Sequence, residues 1–251
     1  MRSVSDMLAL VDEYERELPT PPLPLKPPVG AEIAAWIDHT LLRPEATGMQ
    51  VKKLCDEARK YHFATVCVNP VYVSLARGLL KDSDTGICAV IAFPLGATLP
   101  EDKVYEARRV IKNGAVEVDM VISLGALKSG NYAMVLNDIL LVAQEAHEYG
   151  MKVKGIIETA LLTRREKILA CVFAKEAGAD FVKTSTGFGP SGATAEDVDL
   201  MRRVVGSGTG VKAAGGIRTY QEALAMIAAG ANRIGSSAGV SIMDEAMGAS
   251  Q

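Results

Sequence analysis

Residues 181–187, Phe-Val-Lys-Thr-Ser-Thr-Gly, and residues 210–216, Gly-Val-Lys-Ala-Ala-Gly-Gly, spell one pattern twice: a short apolar run, a lysine, then small turn-forming residues. Short runs of this kind, bounded by turn residues, read as strands. Outward from this pair the same kind of run recurs at 35–37, 64–68, 87–91, 116–121, 153–157 and 233–234. The eight runs are spaced by roughly 30 residues, the length of a strand plus its crossover helix, and such alternation predicts a parallel sheet covered by helices. Between runs, Val51, Leu54, Cys55 and Ala58 make one apolar helix stripe. Thr98 with Glu101, Thr163 with Glu166 and Thr219 with Glu222 are read as capping boxes that open helices. Eight units suit closure into an α/β fold of the (β/α)8, or TIM barrel, type; an open doubly wound sheet is the rival.

Before the first run the chain has another character. Val4, Met7, Leu8 and Val11 share one face of a predicted amphipathic helix ending at Leu18, and residues 19–28 hold six of the eleven prolines, too many to continue a helix. Residues 1–30 therefore read as an N-terminal helix and proline-rich leader, and residues 31–251 as the catalytic barrel. The helix is expected to pack on its own barrel or on a second subunit. With 251 residues, the chain has the length of one such barrel.

A net charge of −3 offers no basic field for nucleic acid or anionic lipid, so a small diffusing substrate is expected. Cys55, Cys67, Cys88 and Cys171 form neither a C-x-x-C pair nor a dense framework, which points to a reducing cytoplasm. Neither a secretion signal nor an apolar run of membrane-spanning length is recognisable.

In a TIM barrel the chemistry gathers at the carboxyl ends of the strands. Lys183 and Lys212 occupy equivalent places at two successive strand ends. Adjacent strands lie about 4.8 Å apart, so two inward amines at one height repel as cations and one is expected to lose its proton. Only the neutral amine attacks a carbonyl. Lowering a lysine from about 10.4 by about three raises its nucleophilic fraction roughly a thousandfold, about 4 kcal/mol. Either lysine alone reads more plainly as a salt-bridged side chain; together they point to a Schiff-base nucleophile. Asp119, in the apolar run 116–121, needs a cationic partner to be buried and is expected across the barrel from the lysines. Lys154, of the same strand parity as Ile156 and Glu158, is expected inward as partner to Asp119 or Glu158.

Gly215-Gly216 and Gly235 with Ser236-Ser237 follow the last two runs, where this fold commonly builds a phosphate site from backbone amides. Asp38 and Thr40 suit either a substrate hydroxyl or a loop cap, and Cys67 either a pocket wall or an inert buried thiol. His39, His62 and His147 lack metal-ligand spacing, so no metal is expected.

These motifs resemble the deoxyribose-phosphate aldolase family from about residue 33 to about residue 240. The run 181–189 resembles its Schiff-base segment, 117–121 the segment of its acid/base aspartate, and 211–218 that of its second lysine. The segments 37–40, 66–70, 93–96 and 154–159 are also similar. The resemblance implies an imine on Lys183, proton transfer by Asp119 and Lys212, and phosphate contacts from Gly187, Gly215, Gly216, Gly235 and Ser237. It further implies reversible cleavage of 2-deoxy-D-ribose 5-phosphate to glyceraldehyde 3-phosphate and acetaldehyde, in deoxyribonucleotide catabolism and without a cofactor. A homo-oligomer, dimer or tetramer, stays open. Two departures stand out: Phe188 where some relatives carry lysine, and Ala238 where some carry a second serine, so phosphate binding is expected to be weaker or differently arranged. The rivals are another Schiff-base aldolase, a metal-dependent aldolase, and a sugar-phosphate-binding barrel without catalysis.

Overall fold

Eight parallel strands close on themselves in sequence order, and the inward side chains of that cylinder set the geometry of everything below. The computed structural model describes residues 2–23 and 26–248. Its strands are β1 (Ile37–Leu41), β2 (Thr65–Val68), β3 (Gly86–Ile91), β4 (Glu117–Val121), β5 (Lys152–Ile156), β6 (Phe181–Lys183), β7 (Gly210–Ala214) and β8 (Arg233–Ser236). The helices are α1 (Val4–Arg16), α2 (Gly48–Tyr61), α3 (Val73–Leu79), α4 (Pro100–Asn113), α5 (Leu124–Lys128), α6 (Tyr132–Glu148), α7 (Arg164–Glu176), α8 (Ala195–Val205), α9 (Tyr220–Ala228) and α10 (Gly239–Gly248). β8 pairs with β1, Ile37 opposite Ile234, which closes the barrel and removes the open-sheet alternative.

Two local expectations need correction. Residues 35–36, read as the start of the first strand, belong to a 3-10 turn over Gly30–Trp36, and β1 begins at Ile37. Ile33 and Ala34 of that turn are buried, whereas Ala35 is exposed and Trp36 only partly buried, so the apolar letters at 35–36 do not mark a pleat facing the core. The Thr98–Glu101 box does not form, because Pro100 takes the first helical position of α4 and makes Leu99 the cap, leaving Thr98 outside the helix. The boxes at Thr163 and Thr219 both close reciprocally with Glu166 and Glu222.

The main apolar core lies between the barrel and its helices, where Val51, Leu54, Cys55 and Ala58 of α2 all point inward. α1 ends at Arg16, two residues before Leu18, and buries Met7 and Val11. It packs on α7. Arg165 reaches back to Asp12 at 2.6 Å and to Glu15, and Arg2 pairs with Glu176 at 2.6 Å. Arg203 of α8 then holds the Leu18 and Pro19 carbonyls, so the leader is tied to the barrel at both ends of the helix. No helix among the described residues is long and apolar enough to cross a membrane.

Candidate active site

Strand register decides which polar side chains meet. Lys183 pairs with Lys212 across β6 and β7, Asp119 with Lys154 across β4 and β5, and Lys212 with Arg233 across β7 and β8. Six consecutive strands, β4 through β8 and β1, thus direct charged side chains into the lumen.

Asp119 is the hub. One carboxylate oxygen accepts from Lys183 at 2.9 Å and from Lys212 at 2.8 Å; the other accepts from Lys154 at 2.8 Å and from the Cys88 thiol at 3.0 Å. Both lysine nitrogens therefore stand on one wall of the lumen, beside each other and out of solvent. Beneath them, Asp38 takes Lys212 at 2.5 Å and Arg233 at 2.7 Å, while Glu117 takes Lys154 at 2.6 Å and Arg233 at 2.9 Å. Four cationic side chains face three carboxylates, so formal charge balances when one amine is uncharged. Lys154 has three carboxylates within 4.0 Å, Lys212 two and Lys183 one. Lys183 is thus the amine least engaged by the carboxylates.

The electrostatics follow from this crowding. Burial alone would raise the Asp119 carboxyl, but Lys154, Lys183 and Lys212 outweigh it and hold Asp119 well below the ordinary carboxylate range. Burial likewise opposes charge on Lys212 and Lys154, yet Asp119 and its companions raise both above the ordinary lysine range. The expected repulsion between two amines is thus moderated by a carboxylate that each of them shares.

Above the hub opens a cavity of about 390 Å³. Of the three lysines only Lys183 lines it; Lys154 and Lys212 lie under its floor. Thr40, Gly187, Gly215, Gly216, Gly235 and Ser237 all line the same cavity. Gly187, Gly215 and Gly216 adopt φ of 88°, 91° and 83°, where a side chain is strained, so their turns depend on glycine. The charged lining residues are Arg43, Lys183 and Arg218, with no carboxylate among them, a lining suited to an anion. Phe188 also lines the cavity, with its ring edge-on to Phe93, the centroids 5.4 Å apart.

Several positions differ from expectation. Asp38 does not face the cavity but serves as counter-ion in the floor, and Thr40 donates to the Asp38 carbonyl while remaining on the cavity wall. Glu158 does not pair with Lys154: its backbone leaves the strand at φ 51°, ψ 66°, and its carboxylate turns to Thr186 instead. Cys67 is buried beside Cys88, whose hydrogen bond to it is the main influence lowering its pKa. Cys67, Cys88 and Asp119 bring three ligand-type atoms within 4.8 Å of one another. Lys154, 3.3 Å from the Cys88 sulfur and 2.8 Å from Asp119, places its ammonium where a cation would go. His39, His62 and His147 each meet a separate carboxylate, Glu57, Asp84 and Asp180. The sequence reading missed Arg233, Glu117 and Cys88 as members of the hub and Arg43 as a wall. Strand parity with Asp119 was a usable signal for Glu117; Arg233 and Arg43 needed the closed barrel.

Comparison with known proteins bears on the family and the fold. The profile described as DeoC/LacD family aldolase matches residues 33–245. The deoxyribose-phosphate aldolase of Thermococcus gammatolerans is 61% identical over 223 residues, 88% of this chain and 99% of that one. That of Thermococcus kodakarensis is 61% identical over 217 residues, 86% and 97% of the two chains. Among solved structures, the tetrameric deoxyribose phosphate aldolase of Aeropyrum pernix superposes with a TM-score of 0.81 at 34% identity, over 97% of each chain.

Proposed function

Because the chain belongs to the DeoC/LacD aldolase family, we propose that it cleaves 2-deoxy-D-ribose 5-phosphate reversibly to glyceraldehyde 3-phosphate and acetaldehyde through an imine on Lys183. The observation that carries the reading is the single Asp119 oxygen shared by Lys183 and Lys212 beneath a cation-lined cavity that only Lys183 enters.

The uncharged Lys183 amine adds to the C1 aldehyde, and the carbinolamine, taking a proton from the Asp119–Lys212 relay, loses water to form a protonated imine. That imine accepts the electron pair released when the C2–C3 bond breaks, so the protein's own side chain supplies the electron sink and no cofactor is called for. The C3 hydroxyl proton leaves to the Asp119–Lys212 pair through a water, glyceraldehyde 3-phosphate departs, and the enamine takes a proton at C2. Hydrolysis then returns acetaldehyde and the Lys183 amine. Lys212, held charged by Asp38 and Asp119, keeps a positive group beside Lys183 and takes part in the proton relay. Asp38 and Lys154 hold the two ends of that network, and Cys67 closes the lumen beside it. The phosphate is received by the turns of Gly187, Gly215, Gly216, Gly235 and Ser237. Residues 1–30 act as a leader tied to a catalytic barrel of residues 31–251. The four buried free thiols suit a reducing cytoplasm, and the tetrameric relative makes self-association the expected partnership.

Incubation with acetaldehyde and sodium borohydride, followed by peptide mass analysis, tests the assignment. A reduced two-carbon adduct is expected on Lys183, and Lys183→Met abolishes it together with cleavage. An adduct on Lys212 exchanges the two roles; folded protein with no adduct on either removes the Schiff-base reading.

A further inference from the structure

One buried carboxylate near the cavity takes no part in the charge network of the lumen. Glu158 is 3% exposed and has no cationic partner within 4.0 Å among the described residues. A buried carboxylate without a cation is costly and persists where hydrogen bonds compensate it. Here one oxygen accepts from the Thr186 backbone N–H at 3.2 Å and from the Thr186 hydroxyl at 2.5 Å. The Thr186 hydroxyl in turn accepts from the Phe188 N–H at 3.0 Å. Phe188 then meets Phe93 of the β3–α4 loop, 5.4 Å between centroids at 87°. Thr186, Gly187 and Phe188 line the cavity, whereas Glu158 does not.

The residue is also strained. At φ 51° it occupies left-handed space that a glutamate rarely adopts, and such strain survives only where surrounding structure holds it. The second oxygen has no hydrogen-bond partner, and it abuts the backbone of Gly189: a Cβ placed there lies 2.9 Å from that oxygen and 3.0 Å from the carboxyl carbon. The loop therefore wraps the carboxylate from both sides, Thr186 before it and Gly189 behind.

We propose that Glu158 is a positioning residue that latches the β6–α8 loop, so that the Gly187 turn and the Phe188 wall are set for a phosphorylated substrate before it arrives. The inference rests on the proposed aldolase function. Without the latch, Thr186 and Gly187 must be ordered by the substrate itself, and that ordering is drawn from binding.

Three variants test it. Glu158→Ala is expected to raise KM for 2-deoxyribose 5-phosphate about tenfold, as loss of charge-assisted hydrogen bonds does, while borohydride trapping of acetaldehyde on Lys183 proceeds at a rate within about twofold, since that step needs no phosphate. Glu158→Gln restores KM to within about threefold, its side-chain carbonyl still accepting from the Thr186 hydroxyl. Gly189→Ala displaces the carboxylate from behind and raises KM in the same direction, and combined with Glu158→Ala it adds little further, because both break one contact. Equal losses in KM and trapping would mark Glu158 as a merely structural residue and overturn the latch, as would an unchanged KM. Failure of the unaltered protein to trap acetaldehyde overturns the aldolase reading, and the latch with it; normal trapping with unchanged KM in Glu158→Ala overturns the latch alone.

Discussion

Asp119→Asn places the most demanding load on the electrostatic account. Its carboxylate holds Lys154 at 2.8 Å through one oxygen, and Lys183 and Lys212 at 2.9 and 2.8 Å through the other. Two nitrogens on one oxygen are within about 6 Å of each other, and whenever both carry a proton they repel by about 3 kcal/mol at an effective dielectric of about 20. An asparagine of the same shape cannot offset that repulsion. Removing one member of a buried ionic cluster costs about 3–5 kcal/mol, so the variant is expected to unfold more easily by that amount near neutral pH. The pH dependence has a defined sign. In the unaltered protein Asp119 is held below the ordinary carboxylate range, so its contribution is present above the unfolded value and lost as pH falls through the folded one. Lys154 and Lys212 are raised, so theirs is present below the unfolded lysine value and lost as pH rises through the folded one. In the variant the anion that raised the lysines has gone, an amine sheds its proton at lower pH, and the deficit shrinks toward the alkaline side. Urea unfolding between about pH 6 and about pH 10 measures this directly. A deficit below about 1 kcal/mol near pH 7, or one that does not shrink with rising pH, would refute the reasoning.

Catalytic turnover of Asp119→Asn should fall by about 10² to 10⁴, the range for loss of a proton-transfer group, with acetaldehyde trapping checked separately. Gly235→Ala carries a Cβ to 2.9 Å from the Ala214 Cβ and 3.0 Å from Lys212 Cε, so the Lys212 side chain must give by a few tenths of an ångström against its contacts with Asp119 and Asp38. Its kcat should drop about tenfold or more while the fold persists by circular dichroism; a kcat within about twofold of the unaltered protein would show that the position of Lys212 is not critical. All four cysteines are buried and free, and burial pushes Cys55, Cys88 and Cys171 upward, so a bulky disulfide reagent should label none in the native protein and all four after denaturation. Rapid native labelling of Cys67 would show the lumen to be more open than described.

Sequence alone carried the strand–helix alternation, the two lysines at successive strand ends and the glycine turns after the last strands, because each is a local pattern of apolar period and turn chemistry. It carried Lys183, Lys212 and Asp119 as a set, since a charged residue inside an apolar run must find a partner wherever the chain goes. Phe188 was visible as a departure, but its meeting with Phe93 was not, those residues being far apart in the chain. Where local rules compete, the reading slipped: the run at 35–36 is apolar in a turn as in a strand, and Pro100 displaced the box that Thr98 and Glu101 spell.

What only the tertiary structure decided is which charges share which atoms. Closure brings β8 against β1, and so Arg233 between Asp38 and Glu117, residues nearly 200 and over 100 positions away. The left-handed backbone at Glu158 turns a side chain that parity offered, beside Asp119, as a partner for Lys154 onto a loop instead, and leaves that lysine to Asp119. The physical reason is range: residue period and turn preference act over a few positions of chain, whereas Coulomb and hydrogen-bond terms act over a few ångströms of space, and a closed barrel converts the one into the other only when all eight strands are in register.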